Sequence, residues 1–257
     1  MTRVVLTLGT TQTLAWASSY YLPAILAAPM ARDLHLSTSA TFAAFSAALI
    51  LSALLGPAVG RAIDTRGGRD ILVLSNLVLA AGLLTLAIAP NAAILTIGWL
   101  LLGLGMAMGL YDAAFATLAG IYGRAARGPI TGITLIAGFA STVGWPLSAI
   151  LAETFGWRIT CLAWAALHLF VALPLNRLLI PPAPPPEKAQ AKADTGPPPP
   201  RFAAPILAFT FAATWFVTGA LAAHLPAMLQ LAGATPALAI AAAALVGPAQ
   251  VAARLAE

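Results

Sequence analysis

Charge is what this sequence has least of. Only 8% of its 257 residues are Asp, Glu, Lys or Arg, where a soluble domain carries about a quarter. So few charges cannot cover a water-facing surface, which excludes an ordinary soluble domain. Cysteine is scarcer still. Cys161 stands alone inside an apolar run, so an intrachain disulfide is excluded, and with no CxxC or His/Cys cluster no metal site is expected. It reads as a small core residue. The 13 basic residues exceed the 8 acidic ones but are scattered, with no basic stripe and no recognition module, so nucleic acid is not an expected partner. There is no HExxH, no serine–histidine–aspartate order, no pair of intramembrane carboxylates and no cofactor motif, which argues against an enzyme. Gly103-x-Gly105-x-x-x-Gly109 follows no strand and reads as a surface for close helix packing rather than a dinucleotide loop.

What is present is apolar length. The chain is 60% hydrophobic with a mean hydropathy of +0.91, and its natural solvent is a lipid bilayer. A span needs ~20 mostly apolar residues to cross ~30 Å of hydrocarbon. Runs at 4–28, 39–60, 71–89, 92–121, 129–152, 158–180, 202–229 and 236–255 meet that need. Backbone groups in lipid must be paired internally, and barrel-type alternation is missing, so each run is expected to be a helix. Arg3 precedes the first run, which is too long for a secretory signal and is read as a retained span. Residues 181–201 are proline-rich and polar, unable to pack a core, and read as an extended spacer. With the N-terminus in the cytoplasm, 11 of the 13 basic residues fall on the cytoplasmic side and only Arg32 and Arg158 outside. That asymmetry sets the expected orientation.

Five of the 21 charges crowd into one stretch, "GRAIDTRGGRD". Its pattern Gly60-x-x-x-Asp64-x-Arg66-Gly67-Gly68-Arg69, placed between the second and third spans, resembles the signature loop of the major facilitator superfamily. Thr65 and Gly68 stand where that pattern usually has basic residues. The glycines suit a tight turn, and Asp64 is placed to pair with Arg61 or Arg69 or to sit against a helix N-terminus. In the fifth span, Gly132, Gly138, Gly144, Trp145 and Pro146 are similar to a glycine-rich segment of some antiporters in that superfamily. They read first as a packing stripe with a bend.

The resemblance implies an all-α membrane protein, a helical bundle of two six-helix halves related by a pseudo-two-fold axis. A trace of internal repetition agrees: "YLPAILAAPM" at 21–30 is similar to "HLPAMLQLAG" at 224–233, and "LLGPAVGRAID" at 54–64 to "LVGPAQVAARLAE" at 245–257. The expected organisation is a six-helix bundle over 1–180, a cytoplasmic linker over 181–201, and the first two helices of the second half over 202–257. A complete member has twelve spans, so a truncated form is expected. The implied function is secondary active transport of a small solute by alternating access, coupled to protons, in the inner membrane of a bacterium. A non-transporting membrane interaction or regulatory fragment is the alternative.

The resemblance also implies that the first, fourth and seventh spans line a central cavity, and these carry the polar side chains. Gln12, Trp16, Ser19, Tyr20 and Pro23 share one face of the first span, and Trp215 and His224 lie in the seventh. The aromatic residues Trp16, Tyr20 and Tyr21 suit either the cavity or an interfacial belt. Gln12 suits cavity or packing, and His224 either a ligand or a packing role. His168 reads as a packing residue, and Arg158 as a snorkelling anchor. Asp112 is the only acidic residue placed within a span. A charge there costs on the order of 3 kcal/mol and usually serves a purpose. It is expected to share a face with Gly105, Met108, Gly109 and Phe115, and to serve either proton or cation coupling or a bond to a neighbouring helix.

Overall fold

The computed structural model describes residues 1–182 and 200–256, and within them every regular element is helical. Most of the expected 181–201 linker therefore lies outside the described residues. The helices are α1 (Thr2–Ser18), α2 (Pro23–Asp33), α3 (Thr38–Arg66), α4 (Arg69–Ala87), α5 (Ala92–Gly109), α6 (Tyr111–Tyr122), α7 (Arg127–Ala137), α8 (Ala140–Leu167), α9 (Leu173–Leu179), α10 (Ala203–Leu231), α11 (Pro236–Ala244) and α12 (Val246–Ala256). Five helical runs are long and apolar enough to cross a membrane, and the chain is a multi-pass integral membrane protein. One run, Ala92–Leu179, holds 88 residues, which laid straight would reach about 130 Å. It turns at two glycines with positive φ, Gly123 (52°) and Gly156 (84°).

Cross-contacts fix the direction of each pass. Along α4 and the 157–179 stretch, Ala87 meets Arg158, Asn76 meets His168, and Asp70 meets Arg177, so the two run antiparallel. Gly98 sits on Leu86, Gly105 on Leu79 and Gly109 on Ser75, which makes α5 antiparallel to α4. Gly132 touches Val5, Gly9 touches Ile136 and Gly144 touches Ala17, so the fifth pass runs parallel to α1. The core forms two layers. One surrounds Trp99, Trp164, Leu79 and Leu83, and the other, nearer the Gly67 turn, gathers Leu8, Leu72, Leu118 and Ile133.

The expectation of one continuous helix per span is corrected at the first, fourth and eighth, while for the fifth a bend is itself expected. The first parts at 19–22, where Pro23 supplies no N–H and the hydroxyls of Ser18 and Ser19 bond back to the Ala15 carbonyl at 3.4 and 2.6 Å. The fourth parts at Leu110, whose ψ of −169° is extended. The fifth bends at Gly138, and the eighth at Leu245, three residues before Pro248. The two segments that matched in sequence therefore differ in form. The break at 19–22 has no counterpart in the continuous α10, and the continuous α3 has none of the bend between α11 and α12.

Each break exposes a carbonyl, and at three of them a side chain from another pass takes it. Gly109 ends α5, and Gln12 Nε2 donates to its oxygen at 2.6 Å. The Tyr21 carbonyl, bypassed because the Ile25 amide donates to Leu22, accepts from Trp145 Nε1 at 3.2 Å. Pro248 cannot donate to Ala244, and Thr142 Oγ1 does so at 2.7 Å. At the end of α4, the guanidinium of Arg158 donates to the carbonyls of Ala87 and Ala89 at 2.8 and 2.9 Å and pairs with Asp33 at 2.9 Å. Arg158 is thus a helix-end cap joining α2, α4 and α8 rather than a lone snorkelling anchor. His168 does pack, through bonds: Ser18 Oγ lies 2.7 Å from its Nε2 and Asn76 Oδ1 2.9 Å from its Nδ1. Asn76 Nδ2 donates to the Leu72 carbonyl, which leaves Asn76 Oδ1 as the acceptor for a proton on His168 Nδ1.

The charged stretch is also corrected. It is mostly helix, because α3 continues through Asp64 to Arg66, and only Gly67 and Gly68 form the turn. Gly67 has φ 83°, and its amide closes the helix on Ile63. A side chain at Gly68 would strike Thr117 of α6, so glycine there in place of a basic residue has a steric reason. The expected pairing of Asp64 is not made. Among the described residues Arg69 pairs instead with its neighbour Asp70 at 3.2 Å, and Asp70 also takes Arg177 at 2.8 Å. Arg69 and Asp70 share the first turn of α4, across the Gly67 turn from Asp64, which faces outward with Arg61 and Arg66.

Gly103 backs onto the main chain of Ala48, leaving no room for a Cβ, whereas a Cβ at Gly56 would meet nothing. Gly103→Ala should therefore destabilise the protein by about 1–3 kcal/mol. Gly56→Ala should be neutral or stabilising by up to ~1 kcal/mol, since alanine favours helix. Thermal unfolding of the two variants in the same detergent checks the contrast.

Candidate functional site: an aromatic cavity at a broken helix

The break at Leu110 positions the site. Because the chain is extended there, α6 starts afresh inside the bundle, with Asp112 in its first turn and no side chain capping its N-terminus. A carboxylate in the first turn sits at the positive end of the helix dipole. The break also overturns the expected common face. Gly105 and Gly109 of α5 look toward Leu79 and Ser75 of α4, while Asp112 looks into a cavity of about 460 Å³. That volume falls within the ~300–1,000 Å³ common for small-molecule sites.

Four aromatic side chains wall this cavity: Trp16, Tyr20, Tyr111 and Trp215. Trp16 is their hub, with ring centroids 5.0 Å from Tyr20, 4.9 Å from Tyr111 and 6.2 Å from the nearly parallel ring of Trp215. Tyr111 stacks in turn on Phe115 at 5.1 Å. The Trp16 Nε1 is buried and has no partner among the described residues. Asp112 is the one charged residue in the lining, is exposed to it, and forms no ion pair among the described residues.

The remaining candidates lie elsewhere. Gln12 is buried and holds the Gly109 carbonyl, so it braces the break from behind; its own Oε1 has no partner among the described residues. His224 is exposed and rests on Phe42, with ring centroids 4.4 Å apart, outside the lining. In the signature stretch Gly60 reaches the cavity wall, whereas Asp64 and Arg66 at the end of α3, Gly67 in the turn and Arg69 at the start of α4 lie outside the lining.

Sequence reasoning missed one wall. It placed the lining on the first, fourth and seventh spans, yet α3 supplies Leu49, Ser52, Ala53, Gly56, Val59, Gly60 and Ile63 to it. The signal was present: Ser52, Gly56 and Gly60 recur every fourth residue, a stripe of small side chains on one face. Nothing packs against Gly56 or Gly60, so here the stripe borders open space rather than a close helix contact. Tyr111 was also missed as a wall residue, because a continuous helix would have turned it elsewhere.

The family model described as Major Facilitator Superfamily matches residues 8–256, nearly the whole chain. The chain belongs to the Major Facilitator Superfamily. Members of this superfamily are membrane transporters, and the bundle of membrane-crossing helices found here fits that class. The chain is also 33% identical over 158 residues to an uncharacterized 38 kDa protein in the 23S RNA operon of Thermoproteus tenax. The match covers 60% of this chain and 40% of that relative.

In this superfamily member the cavity should admit reagents that the core excludes. Ser52 lines it, whereas Ser148 is buried and bonded to Trp164 Nε1 at 3.0 Å. Ser52→Cys should react with a small water-soluble methanethiosulfonate at least ~10-fold faster than Ser148→Cys, as expected from burial-controlled thiol access. The native Cys161 is fully buried and should add little background. Mass spectrometry of the labelled protein over time gives both rates.

Proposed function

We propose that the protein works in secondary active transport, moving a small solute through the aromatic cavity by alternating access, with Asp112 as the proton-coupling group. The observation that supports this most is the placement of Asp112. It is the one charge in a lining otherwise made of apolar, aromatic and small side chains, at the start of a half-helix inside the bundle. Discontinuous helices that present their ends to a midplane cavity are a recurring way to build solute and ion sites in transporters. A carboxylate in such a place can hold a proton in one state and release it in another, because its surroundings change when access switches sides.

In this reading the N-terminus, the 61–70 stretch and the linker face the cytoplasm, the side favoured by the 11-to-2 basic asymmetry. The membrane is the inner membrane of a bacterium. The 1–180 bundle acts as one unit and rocks against the part that begins at 202. The signature turn, with Asp70 tying Arg69 and Arg177, keeps α3, α4 and α9 moving together.

Proton coupling has a direct test. In proteoliposomes, Asp112→Asn should leave expression and folding intact but abolish accumulation of solute driven by a pH gradient. Accumulation that still rises as steeply with the gradient would make Asp112 a packing residue and remove the coupling assignment.

A further inference from the structure

The chemistry of the lining restricts what the cavity accepts. It holds four aromatic rings, one carboxylate and no basic side chain. Aromatic faces carry negative electrostatic potential and attract cations lying over them, more strongly when the contact is desolvated. The strongest faces for this purpose are those of tryptophan, and Trp16 and Trp215 present two of them. Trp16 and Tyr20 are buried and shielded from competing water, Tyr111 is half-buried, and Trp215 is exposed at the cavity edge. Asp112 adds a full charge of the same sign within the same walls. An anionic solute would meet a carboxylate and the faces of electron-rich rings, with no guanidinium or ammonium in the lining to offset them. Arg254 of α12 is exposed and lies outside the lining.

We infer that the cavity selects a monovalent organic cation with an apolar or aromatic body, its positive centre held by Asp112 and by the ring faces of Trp16, Tyr20, Tyr111 and Trp215. This rests on reading the cavity as the solute site and names the class of solute that site takes. The shape agrees. About 460 Å³ accommodates a compact quaternary ammonium with one ring. The α3 wall of Ser52, Gly56 and Gly60 offers a smooth apolar side for the body, opposite the charge on α6.

The experiment uses three probes of nearly the same shape. They are benzyltrimethylammonium, its uncharged isostere neopentylbenzene, and the anion benzylsulfonate. Binding to the full chain in nanodiscs is measured by quenching of intrinsic tryptophan fluorescence, against protein-free nanodiscs. The cation should bind saturably, and at least ~10-fold more tightly than the other two, the selectivity expected from one paired charge together with cation–π contacts. Asp112→Glu should keep the affinity within about threefold, because it retains the charge, while Asp112→Asn and Trp215→Leu should each lose ~10-fold or more. Retained near-ultraviolet circular dichroism shows that these variants are folded. Equal or tighter binding of the neutral or anionic probe, or an unchanged cation affinity in Asp112→Asn, would overturn the cation assignment while leaving the cavity as a solute site. If none of the three probes binds saturably, the reading of the cavity as a solute site falls, and the cation assignment with it.

Discussion

A backbone carbonyl released from its helix inside an apolar bundle has to find a donor within the protein, and much of this structure is arranged around that requirement. Water in a soluble protein would satisfy such a group, but hydrocarbon does not. Leaving one open costs about 1–3 kcal/mol. Three open carbonyls would cost ~3–9 kcal/mol, comparable to the ~5–15 kcal/mol of net stability of a typical domain. At three of the four breaks inside the bundle a side chain on another pass completes the bond. Gln12 serves Gly109, Trp145 serves Tyr21, and Thr142 serves Ala244. Each of these bonds also joins two passes, so the breaks bind the bundle together instead of loosening it.

The break at Leu110 matters most for function. It lets α5 face α4, with Gly105 and Gly109 in close contact with Leu79 and Ser75, while α6 turns its first residues toward α3 and α10. One continuous helix could not do both, since Gly105, Gly109 and Asp112 would lie on a single side. The result is a carboxylate at the positive end of a half-helix, within an aromatic enclosure whose hub is Trp16. At the far end of α4 the same logic acts through charge. Arg158 caps the carbonyls of Ala87 and Ala89 and pairs with Asp33. Asp70 gathers Arg69 and Arg177 at the near end. The first half of the bundle is thus fastened at both ends, and its interior is tied by Ser18, His168 and Asn76.

The membrane class, the helical fold and the superfamily were legible in the sequence, because lipid demands long apolar runs and because the Gly60–Arg69 pattern is distinctive. Asp112 and Trp16, which lie in the cavity lining, could also be singled out, since an acid or a cluster of rings inside a span is costly or rare. What could not be read was where helices break. Proline at 23 and 248 marks two such places, but Pro57 and Pro226 sit inside unbroken α3 and α10, so proline alone does not decide. The deciding feature is a donor on a distant pass, such as Gln12, which lies 97 residues from the carbonyl it serves. The same limit explains why the pairing assigned to Asp64 went instead to Asp70. The sequence sets the charges close together, and only the turn at Gly67 separates them. The α3 wall was missed because small residues every fourth position read equally as packing or as open space.

The central claim is that the Gln12 bond holds the break that aims Asp112 into the cavity. Infrared spectroscopy of the protein carrying a ¹³C-labelled carbonyl at Gly109, compared with the same label in a Gln12→Leu variant, tests it most directly. Loss of a hydrogen bond raises the carbonyl stretching frequency. The account predicts an upward shift of the Gly109 band in the variant, together with faster hydrogen exchange of amides 110–114. An unchanged band and unchanged exchange would show that the break stands without Gln12 and would contradict the account.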